Sequence, residues 1–153
     1  YSKYWMHVRH LLLNGEKMSK TRGNTIHLSD LEKKGFSPQE VRMLLISVHY
    51  RKRLDFTWDY VSRIKKRSAK MAEAVAKIRK ADGLGAPEFR ALLSGVKKEF
   101  ESAMGDDIGV PKALAAIERF LSECQKLNIS GGEARKALSL LRKFDSALAC
   151  LPL

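Results

Sequence analysis

The chain has 153 residues, of which 44% are hydrophobic and 8% aromatic, and its formal net charge is +12. This composition supports a buried core and excludes an intrinsically disordered chain. No apolar run approaches the roughly 18 residues of a transmembrane helix, and the aromatic, basic start lacks a secretory signal. Since the first residue is Tyr1 rather than Met, we expect that it is not a natural translation start.

The positive charge is confined to the first half of the chain. Residues 1–80 hold 19 Lys and Arg against 7 Asp and Glu, whereas residues 81–153 hold 10 of each kind. A one-sided excess favours a polyanion partner such as nucleic acid over a basic face that is merely solvated.

The two cysteines, Cys124 and Cys150, lie in segments predicted to be helical, with no histidine nearby. This pattern favours neither a disulfide nor a metal site, so we expect two buried free thiols. Free thiols without a secretory signal indicate the reducing cytoplasm.

The first predicted elements are short and extended. An apolar run over residues 8–13 precedes Asn14-Gly15, a pair that tolerates positive φ at both positions, and this pattern predicts a strand or hairpin. A polar loop follows over residues 17–24, and residues 25–28 are expected to be extended.

Two capping boxes then predict two helices. Ser29 with Glu32 predicts a short helix that ends at Gly35. Ser37 with Glu40 predicts a second helix, with apolar positions at Val41, Leu44, Leu45 and Val48. Residues 49–53 form a basic link, and residues 54–57 are expected to be extended.

Residues 58–81 are predicted to form a long amphipathic helix, because apolar or small side chains recur at spacings of three and four. These side chains are Val61, Ile64, Ser68, Met71, Val75 and Ile78. Further helices are predicted over residues 87–104, from Pro111 to residue 124, and after a capping box at Ser130 and Glu133. Four such helices joined by short loops predict an antiparallel four-helix bundle. The predicted fold is mainly α, with a small α+β region over residues 1–57 and the bundle over residues 58–153.

The loop over residues 17–24 has a composition suited to polyphosphate. Lys17 and Lys20 can offset phosphate charge, Ser19 and backbone N–H groups can donate hydrogen bonds, and Gly23 permits close approach. Such a loop would stabilise the charge that develops on a leaving pyrophosphate. The spacing of a Walker A loop is absent.

The run Lys-Met-Ser-Lys-Thr at residues 17–21 resembles the KMSKS signature of class I aminoacyl-tRNA synthetases, with Thr in place of the final Ser. Residues 4–7 upstream and 14–16 directly before the run resemble the cysteinyl-tRNA synthetases in particular. Residues 49–57 and the stretch over residues 104–114 resemble the same family. The resemblance covers roughly residues 1–128.

This resemblance implies a cysteine–tRNA ligase, which uses ATP to form cysteinyl adenylate and transfers cysteine to tRNA. Lys20 would bind the phosphates of ATP, which arrives with Mg²⁺, and Lys17, Met18 and Ser19 would complete the ATP-binding loop. Lys17 and Lys20 would act in the transition state. Residues 25–57 would contact the inner side of the tRNA L, and the helices would reach toward the anticodon stem. The basic side chains expected to bind tRNA are Arg51, Lys52, Arg53, Arg63, Lys65, Lys66, Arg67 and Lys70.

The family's HIGH motif and its zinc site of Cys, His and Glu are not found in these residues. The resemblance therefore implies a missing N-terminal catalytic half that holds the zinc, and it predicts that the 153 residues alone are inactive. No metal ligand is predicted within them. His7 and His10, three apart beside a strand, would face opposite sides, and neither His27 nor His49 has a partner at metal spacing.

Two alternative functions stay open. One is a stand-alone tRNA-binding module derived from the synthetase. The other is the related ligase that joins cysteine to an amino sugar in thiol biosynthesis, which shares the KMSK loop but binds no tRNA. The basic half and residues 54–57 favour the tRNA ligase over this second alternative.

Some conspicuous side chains have simpler structural interpretations. Trp5 and Trp58 are expected to pack at element ends rather than stack on bases, and Asp106 and Asp107 to mark a turn before a helix. Residues 49–51 fit equally a tRNA contact and the basic end of a helix. The basic face of the 58–81 helix is expected to face RNA.

Overall fold

The computed structural model describes residues 1–153, with every side chain except that of Arg22. Ten residues without regular structure lead into two short strands, β1 (Leu11–Leu13) and β2 (Glu16–Lys17). Asn14 and Gly15 join them with φ of 51° and 81°, the positive values that a tight hairpin turn requires. The predicted hairpin is confirmed, although its first strand is shorter than the apolar run.

A third strand, β3 (Leu54–Phe56), completes a sheet with the order β2-β1-β3. β1 pairs antiparallel with β2 and parallel with β3. Leu54 and Phe56 are buried while Asp55 between them is exposed, as expected for a strand with one covered face. The expected extended segment is thus confirmed, but its pairing with β1 was not predicted.

A 3₁₀ turn (Lys20–Arg22) and two helices, α1 (Leu28–Lys33) and α2 (Pro38–Ile46), lie between β1 and β3 along the chain. The prediction of extended structure up to residue 28 is wrong at its end, because α1 already begins there. The predicted capping box at Ser29 and Glu32 is also wrong. Instead, the Asp30 carboxylate accepts a hydrogen bond from His27 N–H at 2.9 Å, so that the helix starts two residues earlier.

The second capping box is confirmed. Ser37 Oγ accepts from Glu40 N–H at 3.2 Å, and Glu40 Oε2 accepts from Ser37 N–H at 2.8 Å. Leu45 was expected with the apolar positions of α2, yet its side chain is 52% exposed. Val48 lies beyond the end of the helix.

Four long helices follow: α3 (Trp58–Arg79), α4 (Phe89–Gly105), α5 (Val110–Cys124) and α6 (Gly131–Leu148). All six predicted seam positions of α3 are buried. Thr57 caps α3 by accepting from Tyr60 N–H at 3.1 Å. The Ser130–Glu133 box begins α6 as predicted, and Glu133 also accepts from Ala86 N–H at 3.2 Å, which ties the α3–α4 connection to α6.

The long helices pack around a shared interior. The main packed pairs are α4 with α5, α3 with α6, α3 with α5, and α4 with α6. Helix α2 packs against α3. One continuous cluster of buried side chains reaches from Leu31 in α1 through β3 and all four long helices to Leu151. The structure is therefore mainly helical with a small three-stranded sheet.

Both cysteines are free and buried, as predicted. Burial raises the pKa of the Cys124 thiol to about 12 and that of Cys150 to about 11. Cys150 is not in a helix, contrary to expectation. Helix α6 ends before it, where Ala149 has a φ of 50° and the Asp145 carboxylate accepts from Cys150 N–H at 2.8 Å.

Among the described residues, no helix has both the length and the hydropathy that crossing a membrane requires.

Candidate functional site: the phosphate loop and its basic surroundings

The turn that precedes the loop is anchored to the neighbouring strand. Gly15 N–H donates to Asp55 Oδ1 at 2.9 Å, and Asn14 N–H donates to the Phe56 carbonyl at 3.1 Å. Both acceptors belong to β3. The exposed Asp55 therefore fixes where β2, and the loop after it, leave the sheet.

The loop itself is closed by one amide side chain. Asn24 Oδ1 accepts from Ser19 N–H at 2.8 Å, and Asn24 Nδ2 donates to the Lys17 carbonyl at 3.2 Å. Gly23, with a φ of 66°, donates its N–H to the Lys20 carbonyl at 3.1 Å. The backbone from residue 17 to residue 24 is thus held at both ends by its own groups.

The predicted catalytic and ATP-binding side chains lie together on this loop. Lys17 is the last residue of β2, Ser19 directly precedes the 3₁₀ turn, and Lys20 is the first residue of that turn. Both lysine side chains are exposed, whereas Met18 and Ser19 are half-buried. Among the described side chains, neither lysine has a carboxylate within ion-pair distance. Two ammonium groups are therefore presented to solvent from a fixed backbone.

Half of the predicted tRNA-binding side chains are engaged within the protein. Arg63 pairs with Asp59 at 3.1 Å, and Lys65 Nζ donates to the Gly35 carbonyl at 2.9 Å. Two arginines bind carboxylates with two nitrogens each: Arg51 binds Asp107, and Arg67 binds Glu118.

The other half stay exposed with no ion pair to a described side chain: Lys52, Arg53, Lys66 and Lys70. Lys66 and Lys70 line a groove of about 720 Å³ between α3 and α5, together with Arg63 and Arg67. Glu73 and Glu118 also line it. The structure thus separates side chains without an ion-pair partner among the described residues from those already bound to another group of the protein.

Asp107 binds one of the predicted tRNA-binding side chains, a contact that the sequence analysis missed. Its carboxylate accepts from Arg51 Nε at 2.6 Å and from the Tyr50 hydroxyl, while its carbonyl lies 2.9 Å from His49 Nε2. The Arg51 and Tyr50 hydrogen bonds lower the pKa of Asp107 to about 2. Asp106 and Asp107 lie in a turn, as expected. Asp106 pairs with Lys112 at 2.7 Å.

The two tryptophans differ. Trp58 packs edge-on against Phe56 with ring centroids 5.4 Å apart, and Lys34 Nζ lies 4.2 Å from its ring centroid. The expected packing role holds for Trp58. It is wrong for Trp5, whose side chain is 75% exposed in the segment before β1.

The histidines form no metal site in the part of the chain that is described. His7 and His10 are exposed and precede β1, and His49 bonds to Asp107. No group of three or more His, Cys, Asp or Glu among the described residues could hold a metal ion.

The amino-acid sequence is similar to those of known proteins. Residues 1–66 match the family described as the class I (C) catalytic domain of tRNA synthetases. Over 152 residues, the chain is 34% identical to the cysteine–tRNA ligase of Protochlamydia amoebophila, covering 96% of this chain and 32% of that protein. The Thermus thermophilus cysteine–tRNA ligase is 37% identical over 131 residues, covering 83% and 27%. That of Leptospira interrogans is 34% identical over 160 residues, covering 99% and 34%.

The matched domain and the similarity to these relatives define a class I aminoacyl-tRNA synthetase chain. Within that class, the chain belongs to the cysteine–tRNA ligase family. It spans about a third of the length of the curated relatives it matches.

Proposed function

We propose that this chain provides a cysteine–tRNA ligase with the loop that binds the phosphates of ATP and with a helical region that faces the tRNA. The reaction would activate cysteine with ATP and transfer it to the 3′ end of tRNA. The observation that carries the proposal is the closed loop over residues 17–24, which presents two exposed lysines in a chain of this family.

The loop is suited to act on a leaving pyrophosphate. When the cysteine carboxylate attacks the α-phosphorus of ATP, the bond to pyrophosphate breaks and negative charge accumulates on its oxygens. Lys17 and Lys20 can donate charge-assisted hydrogen bonds to those oxygens. Because Asn24 already fixes the backbone between them, little reorganisation is needed at the moment of reaction.

ATP would bring Mg²⁺ as its counter-ion. The zinc that the family resemblance implies would be held outside these 153 residues. We therefore expect the 153 residues alone to be inactive in adenylate formation.

The tRNA-facing surface in this proposal consists of Lys52, Arg53, Lys66 and Lys70. These side chains are exposed and have no carboxylate partner among the described residues, so each can meet a phosphate without breaking an existing contact. Arg51 and Arg67 would instead hold the fold behind this surface, since both are bound to carboxylates.

We also propose that the long helices act as an antiparallel four-helix bundle over residues 58–153, distinct from the loop region over residues 1–57. The packed pairs α3–α6, α6–α4, α4–α5 and α5–α3 form a closed ring, which supports a bundle. The buried free thiols fit a cytoplasmic location.

The loop assignment can be tested by titrating ¹⁵N-labelled chain with Mg·ATP and with inorganic pyrophosphate. We expect amide shifts concentrated at residues 17–24, and their loss in Lys17→Ala/Lys20→Ala. A matched control is Lys77→Ala/Lys80→Ala, which removes two exposed lysines of the same spacing from the end of α3. Shifts that survive the loop change, or that the control change abolishes equally, would overturn the assignment.

A further inference from the structure

Three consecutive side chains after α2 converge on a single residue of the α4–α5 connection. His49, Tyr50 and Arg51 all contact Asp107, through its carboxylate or its carbonyl. The contacts join positions more than 50 residues apart. Because an arginine fork and a phenol bind the carboxylate while an imidazole contacts the carbonyl, several independent contacts fix the position of this residue.

The backbone at this point is strained. Asp107 and Ile108 both have a φ of 53°, and for a β-branched residue such as Ile108 this is a rare conformation. Strain of this kind persists only where surrounding contacts enforce it. Gly109 follows, and an added Cβ there would lie 2.7 Å from the Ala103 carbonyl oxygen. The connection is therefore held in one tight arrangement, which the contacts to Asp107 help to maintain.

Further hydrogen bonds connect Tyr50 to the phosphate loop over residues 17–24. The Tyr50 carbonyl accepts from Arg9 N–H at 3.0 Å, and Arg9 lies two residues before β1. β1 pairs with β2, whose last residue is Lys17, and the Lys17 carbonyl accepts from Asn24. A continuous series of hydrogen bonds and strand pairing thus joins Asp107 to the closed loop.

We infer that Asp107 is a positioning residue for the phosphate loop, acting through Tyr50, Arg9 and the β1–β2 hairpin. The inference goes beyond the proposed function, because it concerns how the loop is held and requires neither nucleotide nor tRNA. In this arrangement the α4–α5 end of the helical region sets the position of the hairpin from which Lys17 and Lys20 project.

The test compares hydrogen–deuterium exchange in the wild-type chain, Asp107→Asn and the matched control Asp106→Asn. The control removes the neighbouring carboxylate, whose only ion pair among the described side chains is with Lys112. In Asp107→Asn we expect amides of residues 9–24 to exchange roughly 2- to 30-fold faster, the range that couplings through such networks span. Asp106→Asn should leave those amides unchanged.

A second variant separates positioning from a general loss of stability. Tyr50→Phe removes only the hydroxyl that donates to Asp107, and we expect it to raise exchange over residues 9–24 while α6 keeps its protection. The double variant Asp107→Asn/Tyr50→Phe should be less than additive, because both changes act on one bond. If Asp107→Asn alters exchange only around residues 49–51 and 103–112, or raises it equally in every helix, the inference is overturned.

Discussion

The loop region over residues 1–57 and the helical region over residues 58–153 are built in different ways. The helical region is held by an interior of fully buried side chains such as Ile117 and Leu141. In the loop region, α1, α2 and β3 join that interior, but the hairpin turn and the loop over residues 17–24 depend on single polar side chains, chiefly Asn24 and Asp55. Lys17 and Lys20, which are proposed to act on ATP, lie on a loop that few contacts hold, because a ligand must reach them. The packed helical region provides a rigid base.

The largest expected effect follows from the packing of the helical region. Ile117→Ala should lower the free energy of unfolding by about 2–5 kcal/mol, because it leaves a cavity where a fully buried side chain stood. Leu84→Ala is the control, since that side chain is 98% exposed and its loss should leave stability nearly unchanged. Urea unfolding followed by circular dichroism measures both. Equal effects from the two changes would refute the assigned core.

A smaller loss of stability is expected when the hydrogen bonds that close the loop over residues 17–24 are removed. Asn24→Ala removes two hydrogen bonds across the loop, each worth about 1 kcal/mol, and this loss should be local. We expect faster amide exchange at Ser19 and its neighbours, with a urea midpoint close to that of the wild type. A large drop in the urea midpoint would show that the closure of this loop also stabilises the rest of the fold.

The smallest loss of stability should come from breaking the contact between the two regions, in which Asp107 binds Tyr50 and Arg51. The folded-state pKa of Asp107 lies at about 2, below the ordinary carboxyl value near 4. Its contribution to stability is therefore present above about pH 4 and is lost as the pH falls toward 2.

Urea midpoints measured from pH 6 down to pH 2 test this sign. Asp107→Asn should be less stable than the wild type at pH 6, and the difference should shrink toward zero near pH 2. Because the ion pair is exposed, the effect should be modest. A difference that does not depend on pH would assign the stabilisation to shape rather than charge.

The helical region could be predicted well from the sequence. The apolar spacing of α3 placed its six buried positions, and the box at Ser130 and Glu133 placed the start of α6, because both signals act within one or two turns of a helix. Prediction failed at α1, where two local signals competed: His27 N–H donates to the Asp30 carboxylate, and the predicted box at Ser29 and Glu32 lies two residues too late.

The loop region was predictable only in part. The composition of residues 17–24 predicted the loop, and Lys17 and Lys20 on it are exposed. The side chains that hold it were missed, because Asp55 lies 40 residues from Gly15 and Asp107 lies 56 from Arg51. Pairing of Arg67 with Glu118 was hidden for the same reason. Contacts of such long range leave no periodic signal in the sequence.

The proposed tRNA-facing surface can be tested by measuring tRNA binding at several salt concentrations. Lys66→Gln/Lys70→Gln removes two exposed lysines from the α3–α5 groove, and Lys136→Gln/Lys143→Gln removes two from the groove between α4 and α6. We predict that affinity falls steeply with salt and that only the first change weakens binding and lowers the salt dependence. Equal effects of the two changes, or no binding to tRNA at low salt, would contradict a tRNA-facing α3.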